Sequence, residues 1–94
     1  MHATLLQIDF HLPNCRSLKE KRHRLARLRD KFGRITNLAV CESGHNDTHN
    51  RAQWTFIAIA GDEKIVLRTV QEVCDWCAQT LDATIINIDR EVIA

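Results

Sequence analysis

Two stretches with helical spacing, set among four that alternate as strands do, predict an α+β fold for this 94-residue chain. Their order is strand, helix, strand, strand, helix, strand. No internal repeat, low-complexity tract or linker interrupts them, so one domain is predicted over residues 1–94.

The first strand is read at residues 3–12, where Leu6, Ile8, Phe10 and Leu12 share one face and Gln7, Asp9 and His11 the other. Pro13 ends it, because proline has no N–H for the ladder. Ser17-Leu18-Lys19-Glu20 has the pattern of a capping box, with the Ser17 hydroxyl taking the third helical N–H and Glu20 reaching back to the Ser17 amide. From Leu18 the period becomes helical: Leu18, Leu25, Leu28 and Phe32 fall within about a quarter of the circumference. Gly33 is the stop signal.

A second strand is expected around Asn37 to Glu42, followed by a polar stretch from Ser43 to Asn50. The third, Ala52 to Ala60, is apolar at both alternating sets, Trp54 and Phe56 in one, Ile57 and Ile59 in the other. That pattern suits a central strand. Asp62 caps a second helix running to about Leu81, with Val66, Val70, Val73, Cys77 and Leu81 as its buried stripe. The last strand, Thr84 to Val92, is expected to turn Ile86 and Ile88 inward and Asn87 and Asp89 outward. Right-handed crossovers then place the first and third strands centrally. The predicted architecture is a ferredoxin-like βαββαβ sandwich, a four-stranded antiparallel sheet with both helices on one face.

Such a short chain buries few large apolar side chains, each worth about 1.5–3 kcal/mol, and most of that is cancelled by chain entropy. One sheet face has no helix over it. A homo-oligomer, a dimer, is therefore expected to cover it.

At 45% hydrophobic and 27% charged residues the composition excludes a disordered chain. The longest apolar run, Phe56 to Ala60, excludes a helical membrane span. Met1-His2-Ala3-Thr4 shows no secretory signal, and a cytoplasmic location is expected.

The overall charge of +1 argues at first against a polyanion partner. Its distribution argues the reverse. Arg16, Lys19, Lys21, Arg22, Arg24, Arg27, Arg29, Lys31 and Arg34 face only Glu20 and Asp30 in the same stretch, a net of +7, while the remainder carries −6. Arg24, Arg27, Lys31 and Arg34 lie opposite the apolar stripe and are expected to face solvent together. Arginine there presents forked donors suited to phosphate oxygens. Nineteen residues carrying that charge exceed what solubility asks of a small domain, although a solvated face neutralised by neighbouring acids stays open. Lys21 falls inside the apolar stripe. Either it snorkels to water, or it meets a specific partner such as a carboxylate or an anion at the sheet edge.

Base stacking on the open sheet face, as in an RRM, needs aromatics at positions held by Gln53 and Thr55. With Trp54 and Phe56 turned to the core, that platform is missing. Cys15, Cys41, Cys74 and Cys77 are expected to be reduced thiols. Cys74-Asp75-Trp76-Cys77 lies well inside the second helix, away from the N-terminus where the dipole would activate a thiol, and reads as core. His45-x-Asp47-x-His49, with Cys41 and Glu42 upstream, is the best metal-like cluster, but polar connecting loops collect His, Asn and Asp for turn geometry alone, and that reading is preferred to a metal site. Asp9, His11 and Asp89 share the open face, which is a poor pocket for hydrolysis. No Ser-His-Asp pattern, phosphate-binding glycine loop or HExxH motif occurs, so neither a catalytic residue nor a cofactor is expected.

Pro13, the string Ser17-Leu18-Lys19-Glu20-Lys21-Arg22, then Glu42, Asp47 and Asn50-Arg51-Ala52 resemble the YlxP-like family of small bacterial proteins, whose function is unknown. The resemblance runs from end to end; Asn50 stands where that family typically has Gln. It implies a ferredoxin-like fold and a bacterial cytoplasmic protein. In some relatives the gene lies beside translation-initiation and ribosome-maturation genes, which implies contact with RNA or the ribosome. By that resemblance Lys19, Lys21, Arg22 and Arg51 are the family-pattern basic residues, while Arg24, Arg27, Lys31 and Arg34 rest on charge alone. The combined expectation is a non-enzymatic, dimeric RNA- or ribosome-associated module, with no membrane partner. The alternative is a protein-interaction module whose basic helix docks on an acidic protein surface, and a metal or thiol enzyme ranks third.

Overall fold

A computed structural model describes residues 1–94 and has the expected element order. The elements are β1 (His2–His11), α1 (Leu18–Phe32), β2 (Leu38–Gly44), β3 (Arg51–Ala60), α2 (Glu63–Thr80) and β4 (Thr84–Val92). The sheet order is β2-β3-β1-β4, antiparallel throughout, with β1 and β3 at the centre. This is the ferredoxin-like arrangement.

Alternation in β1 and β3 decides which face is packed. Leu6, Ile8 and Phe10 point with Ala52, Trp54, Phe56 and Ala58 into one core. α2 closes it over the central strands with Val66, Val70, Val73, Cys77 and Leu81, the predicted stripe, joined by Cys74. α1 lies toward β2 and contributes Leu25, Leu28 and Phe32. The Phe32 ring ties the layers together, meeting Phe56 edge-on at 6.1 Å and Trp76 at 5.3 Å.

Two local expectations are corrected. Ser17 caps α1 by accepting from the Glu20 N–H at 3.0 Å, but the Glu20 carboxylate accepts from the Arg16 amide at 3.0 Å rather than from Ser17. The box closes one residue further out, on the Arg16 N–H. In β4, a register shift opposite Asp9 and Phe10 moves the inward position from Ile86 to Ile85. Ile85 packs on the core, Ile86 is 47% exposed, and Ile88, though paired with Ile8, stays at the sheet margin. An extra residue on an edge strand reverses facing in this way. No helix is long and apolar enough to cross a membrane.

Candidate nucleic-acid interface

The basic helix is anchored by one of its own cations. Lys21 lies in the apolar stripe and is 2% exposed. Its ammonium donates to Glu42 Oε1 at 3.1 Å, to the His45 carbonyl at 2.8 Å and to the Arg51 carbonyl at 3.2 Å. A lysine ammonium has three protons, and all three are taken. Of the two readings the sequence left open, the specific partner is the observed one and snorkelling is not. Lys21 is therefore corrected from a phosphate-contacting residue to the pin that fastens α1 to the β2–β3 hairpin. His45 adopts a left-handed backbone, φ 58°, and its carbonyl also accepts from the Thr48 N–H at 3.0 Å. That conformation is costly for a residue with a Cβ; the hairpin turn and the ammonium hold it in place. The Ser17–Arg22 string, Glu42 and the Asn50–Ala52 segment, distant in sequence, converge here.

Arg24 is also engaged in the fold. It donates to the Pro13 carbonyl at 2.8 Å and to Glu20 Oε1 at 2.9 Å, and Asp82 lies 3.5 Å away. Partial burial works to lower its pKa, but these acidic neighbours outweigh it and raise the value. The Arg16 amide and then the Arg24 guanidinium hold the Glu20 carboxyl below its ordinary value. Arg24 thus joins the start of α1 to the end of α2 instead of standing in the solvent-facing row.

The other cations of α1 make no ion pair. Lys19, Arg22, Arg27, Arg29 and Lys31 are exposed, and so are Arg16 ahead of the helix and Arg34 past its end, which are also unpaired. They divide into two flanks. Arg22 and Arg29, two turns apart, border a cavity of about 310 Å³ between α1 and the hairpin, together with Lys21, Asp30, Glu42 and Trp54. Arg27 and Lys31 border a shallower depression against Trp76 of α2, with the Arg27 guanidinium 5.9 Å from that ring's centre. On the first flank the Arg29 guanidinium stands 5.6 Å over the Trp54 ring. Arg51 belongs to neither: it lies half-buried on β3, and its Nε is buried without a partner.

Trp54, which periodicity marks only as core, also borders the cavity. It is 3% exposed, as a core residue should be, yet its indole N–H is buried with no acceptor. A buried donor left unpaired costs about 1–3 kcal/mol. The signal available in the sequence was its position two residues before Phe56 on a strand facing a basic helix.

The remaining candidates are not assembled into sites. Trp54 and Phe56 are both buried, so the open face presents Gln53 and Thr55 without an aromatic platform. No three His, Cys, Asp or Glu side chains are placed to hold a metal ion; in the hairpin Glu42 is turned to Lys21. The cysteines are unbonded, with Cys15, Cys74 and Cys77 buried and Cys41 exposed. Burial, and then Cys74 beside it, pushes the Cys77 thiol up to about 12. That is the opposite of an activated nucleophile.

Among solved structures the chain resembles an amidase of the hydantoinase/carbamoylase family from Burkholderia multivorans, with a TM-score of 0.56 and 13% identity, over 99% of this chain and 27% of that one. The chain therefore spans little more than a quarter of that protein, and at this identity the likeness is one of fold. A designed protein, Ferredog-Diesel, aligns over 95% of this chain and 83% of its own, with 14% identity and a TM-score of 0.41. A search of the curated proteins gives no significant match. A protein-family profile does match, over residues 4–90, and by that match the chain belongs to DUF503, a family described as "Protein of unknown function".

Proposed function

We propose that this protein is a non-enzymatic RNA-binding module, associated with the ribosome, that holds a phosphate backbone along α1. The supporting observation is the set of seven basic residues from Arg16 to Arg34 that have no carboxylate within ion-pair distance. A surface neutralised by the fold's own acids would have paired them; only Lys21 and Arg24 are paired. At 1.5 Å per residue the helix offers about 22 Å of cationic surface. α1 lies along the sheet and presents charge on two flanks, which suits a single strand lying against it better than insertion into a duplex groove. Lys19, Arg22, Arg27, Arg29, Lys31 and Arg34 are the contacting residues of this proposal. The YlxP-like resemblance, with its neighbouring translation genes, points the same way, as does a cytoplasmic location for three buried, unbonded thiols.

The test is binding of a labelled single-stranded RNA by the wild type and by an Arg27→Glu, Lys31→Glu, Arg34→Glu variant. All three side chains are exposed and outside the Lys21 and Arg24 networks. Affinity should fall at least tenfold in the variant, and equal affinity would remove the proposal.

The dimer has a separate basis. Leu5, Ile57 and Ile59, the last 43% exposed, cluster on the helix-free face. On the same face Asp9 Oδ1 and Arg51 Nε are buried without partners. A second copy covering this face would remove the apolar area from water and leave α1 free. Sedimentation equilibrium tests it: an Ile59→Glu variant should be monomeric where the wild type is dimeric, and a monomeric wild type excludes the dimer.

A further inference from the structure

We propose that the cavity between α1 and the β2–β3 hairpin is a site for one guanine nucleotide, free or as a residue of an RNA strand; the strand-borne form rests on the function proposed above. At about 310 Å³ the cavity is at the lower end of the range for small-ligand sites. Its walls are chemically mixed. Arg22 and Arg29 supply cations that no carboxylate of the fold neutralises, while Asp30 makes no ion pair and Glu42 engages Lys21 through Oε1 only. A bare anion would satisfy the arginines and be repelled by the two carboxylates. The ligand that fits must carry acceptors for the first pair and N–H donors for the second.

Trp54 narrows the choice. Its ring forms part of the wall under the Arg29 guanidinium, and its N–H is the buried donor without an acceptor. A flat heterocycle with an acceptor edge would satisfy that donor. Guanine carries O6 and N7 as acceptors, and its N1–H and N2 amino group form a pair of adjacent donors that a carboxylate can accept together. Adenine and cytosine offer a single amino group, and uracil a single ring N–H. In this assignment the guanine donor edge meets Glu42, the phosphate draws Arg22 and Arg29 to the mouth, and the acceptor edge reaches the Trp54 N–H, enclosed in the free protein, as the groups covering it move aside. Asp30 borders both depressions, but Arg22, Arg29, Glu42 and Trp54 are distinct from Arg27 and Lys31 on the other flank and from Arg34 past the helix, so the two sites can be tested apart.

The experiment follows the indole N–H resonances in proton–nitrogen correlation spectra. The chain has two tryptophans, and a Trp76→Phe variant assigns the Trp54 signal. GMP, AMP, inorganic phosphate, and short single-stranded RNAs with and without guanine are added in separate titrations. GMP should move the Trp54 signal and leave Trp76 in place, with AMP and phosphate needing at least tenfold higher concentration. Arg29→Ala should weaken the GMP response about tenfold with an unchanged melting profile. A shift with guanine-containing RNA but not with GMP supports the strand-borne form. A Trp54 signal unmoved by either, or moved equally by AMP or phosphate, overturns the proposal. RNA that binds without moving Trp54 removes the guanine site and leaves the RNA-binding function standing. GMP that moves Trp54 in a protein with no RNA affinity does the reverse.

Discussion

The Lys21 ammonium lies 3.1 Å from Glu42 Oε1, buried at the junction of α1 with the β2–β3 hairpin. The contact joins the most basic element of the chain to an acidic residue twenty-one positions away. It fixes the roll of α1, and so decides which cations face solvent and which border the cavity. Removing one partner of a buried pair leaves the other uncompensated.

Lys21→Met keeps the apolar stem and removes the charge. It is expected to lower unfolding stability by about 3–5 kcal/mol, because Glu42, itself 20% exposed, and two carbonyls lose their donor. Combining it with Glu42→Gln should recover part of the loss. Urea denaturation of the two single variants and the double variant reads the coupling directly. A Lys21→Met protein as stable as wild type would mean that the ammonium is not needed to hold α1.

The start of α1 gives a pH-dependent expectation. Ser17→Ala removes the cap and should cost about 0.5–2 kcal/mol at neutral pH. Glu20 has its pKa lowered by the Arg16 amide and then Arg24, so its contribution is present above the ordinary value of 4.5 and is lost as pH falls through the lowered folded value. Glu20→Gln should therefore melt earlier than wild type at pH 7 and together with it near pH 2. Thermal melts at both pH values decide the point; a difference that persists in acid would assign the effect to something other than the carboxylate.

Thiol chemistry separates structural from reactive cysteines. In the native protein a thiol reagent should modify Cys41 rapidly and Cys15, Cys74 and Cys77 slowly, with all four reacting once the chain is unfolded. A Cys41→Ser variant should lose the rapid phase. Burial holds the Cys77 thiol protonated to about 12 against an ordinary value of 9.0, so its contribution is complete below pH 9 and declines as pH rises toward the folded value. The decline is at most about 1.4 kcal/mol per pH unit. Cys77→Ala should flatten the alkaline limb of the stability profile, and a limb equally steep in that variant would exclude Cys77 as its source.

The sequence was most informative where a local rule and the tertiary packing agreed. Leu6, Ile8 and Phe10 alternate because one sheet face is covered, and Val66, Val70, Val73 and Cys77 recur at helical spacing because one helix face meets it. Ile86 failed because a bulge adds a residue to an edge strand, and periodicity carries no mark of the insertion. The site divided in the same way. That α1 is strongly basic was legible from composition along the chain. That Lys21 meets a carboxylate was legible only as one of two readings, and the engagement of Arg24 was not read at all; Glu20 is its helical neighbour, but Glu42, the Arg51 carbonyl and Asp82 come close only through the fold. The Trp54 N–H was hidden for another reason: the period that makes its ring a core residue says nothing of whether its donor finds an acceptor.

If the unpaired cations of α1 meet phosphates, RNA affinity must depend on salt, and that dependence measures the contact most directly. Contact with about five phosphates of a single strand should give a slope near −3.5 in a plot of log affinity against log salt concentration. The Arg27→Glu, Lys31→Glu, Arg34→Glu variant should show a slope shallower by about 2, on a protein with an unchanged melting profile. A wild-type slope near zero, or equal slopes for the two proteins, would contradict it.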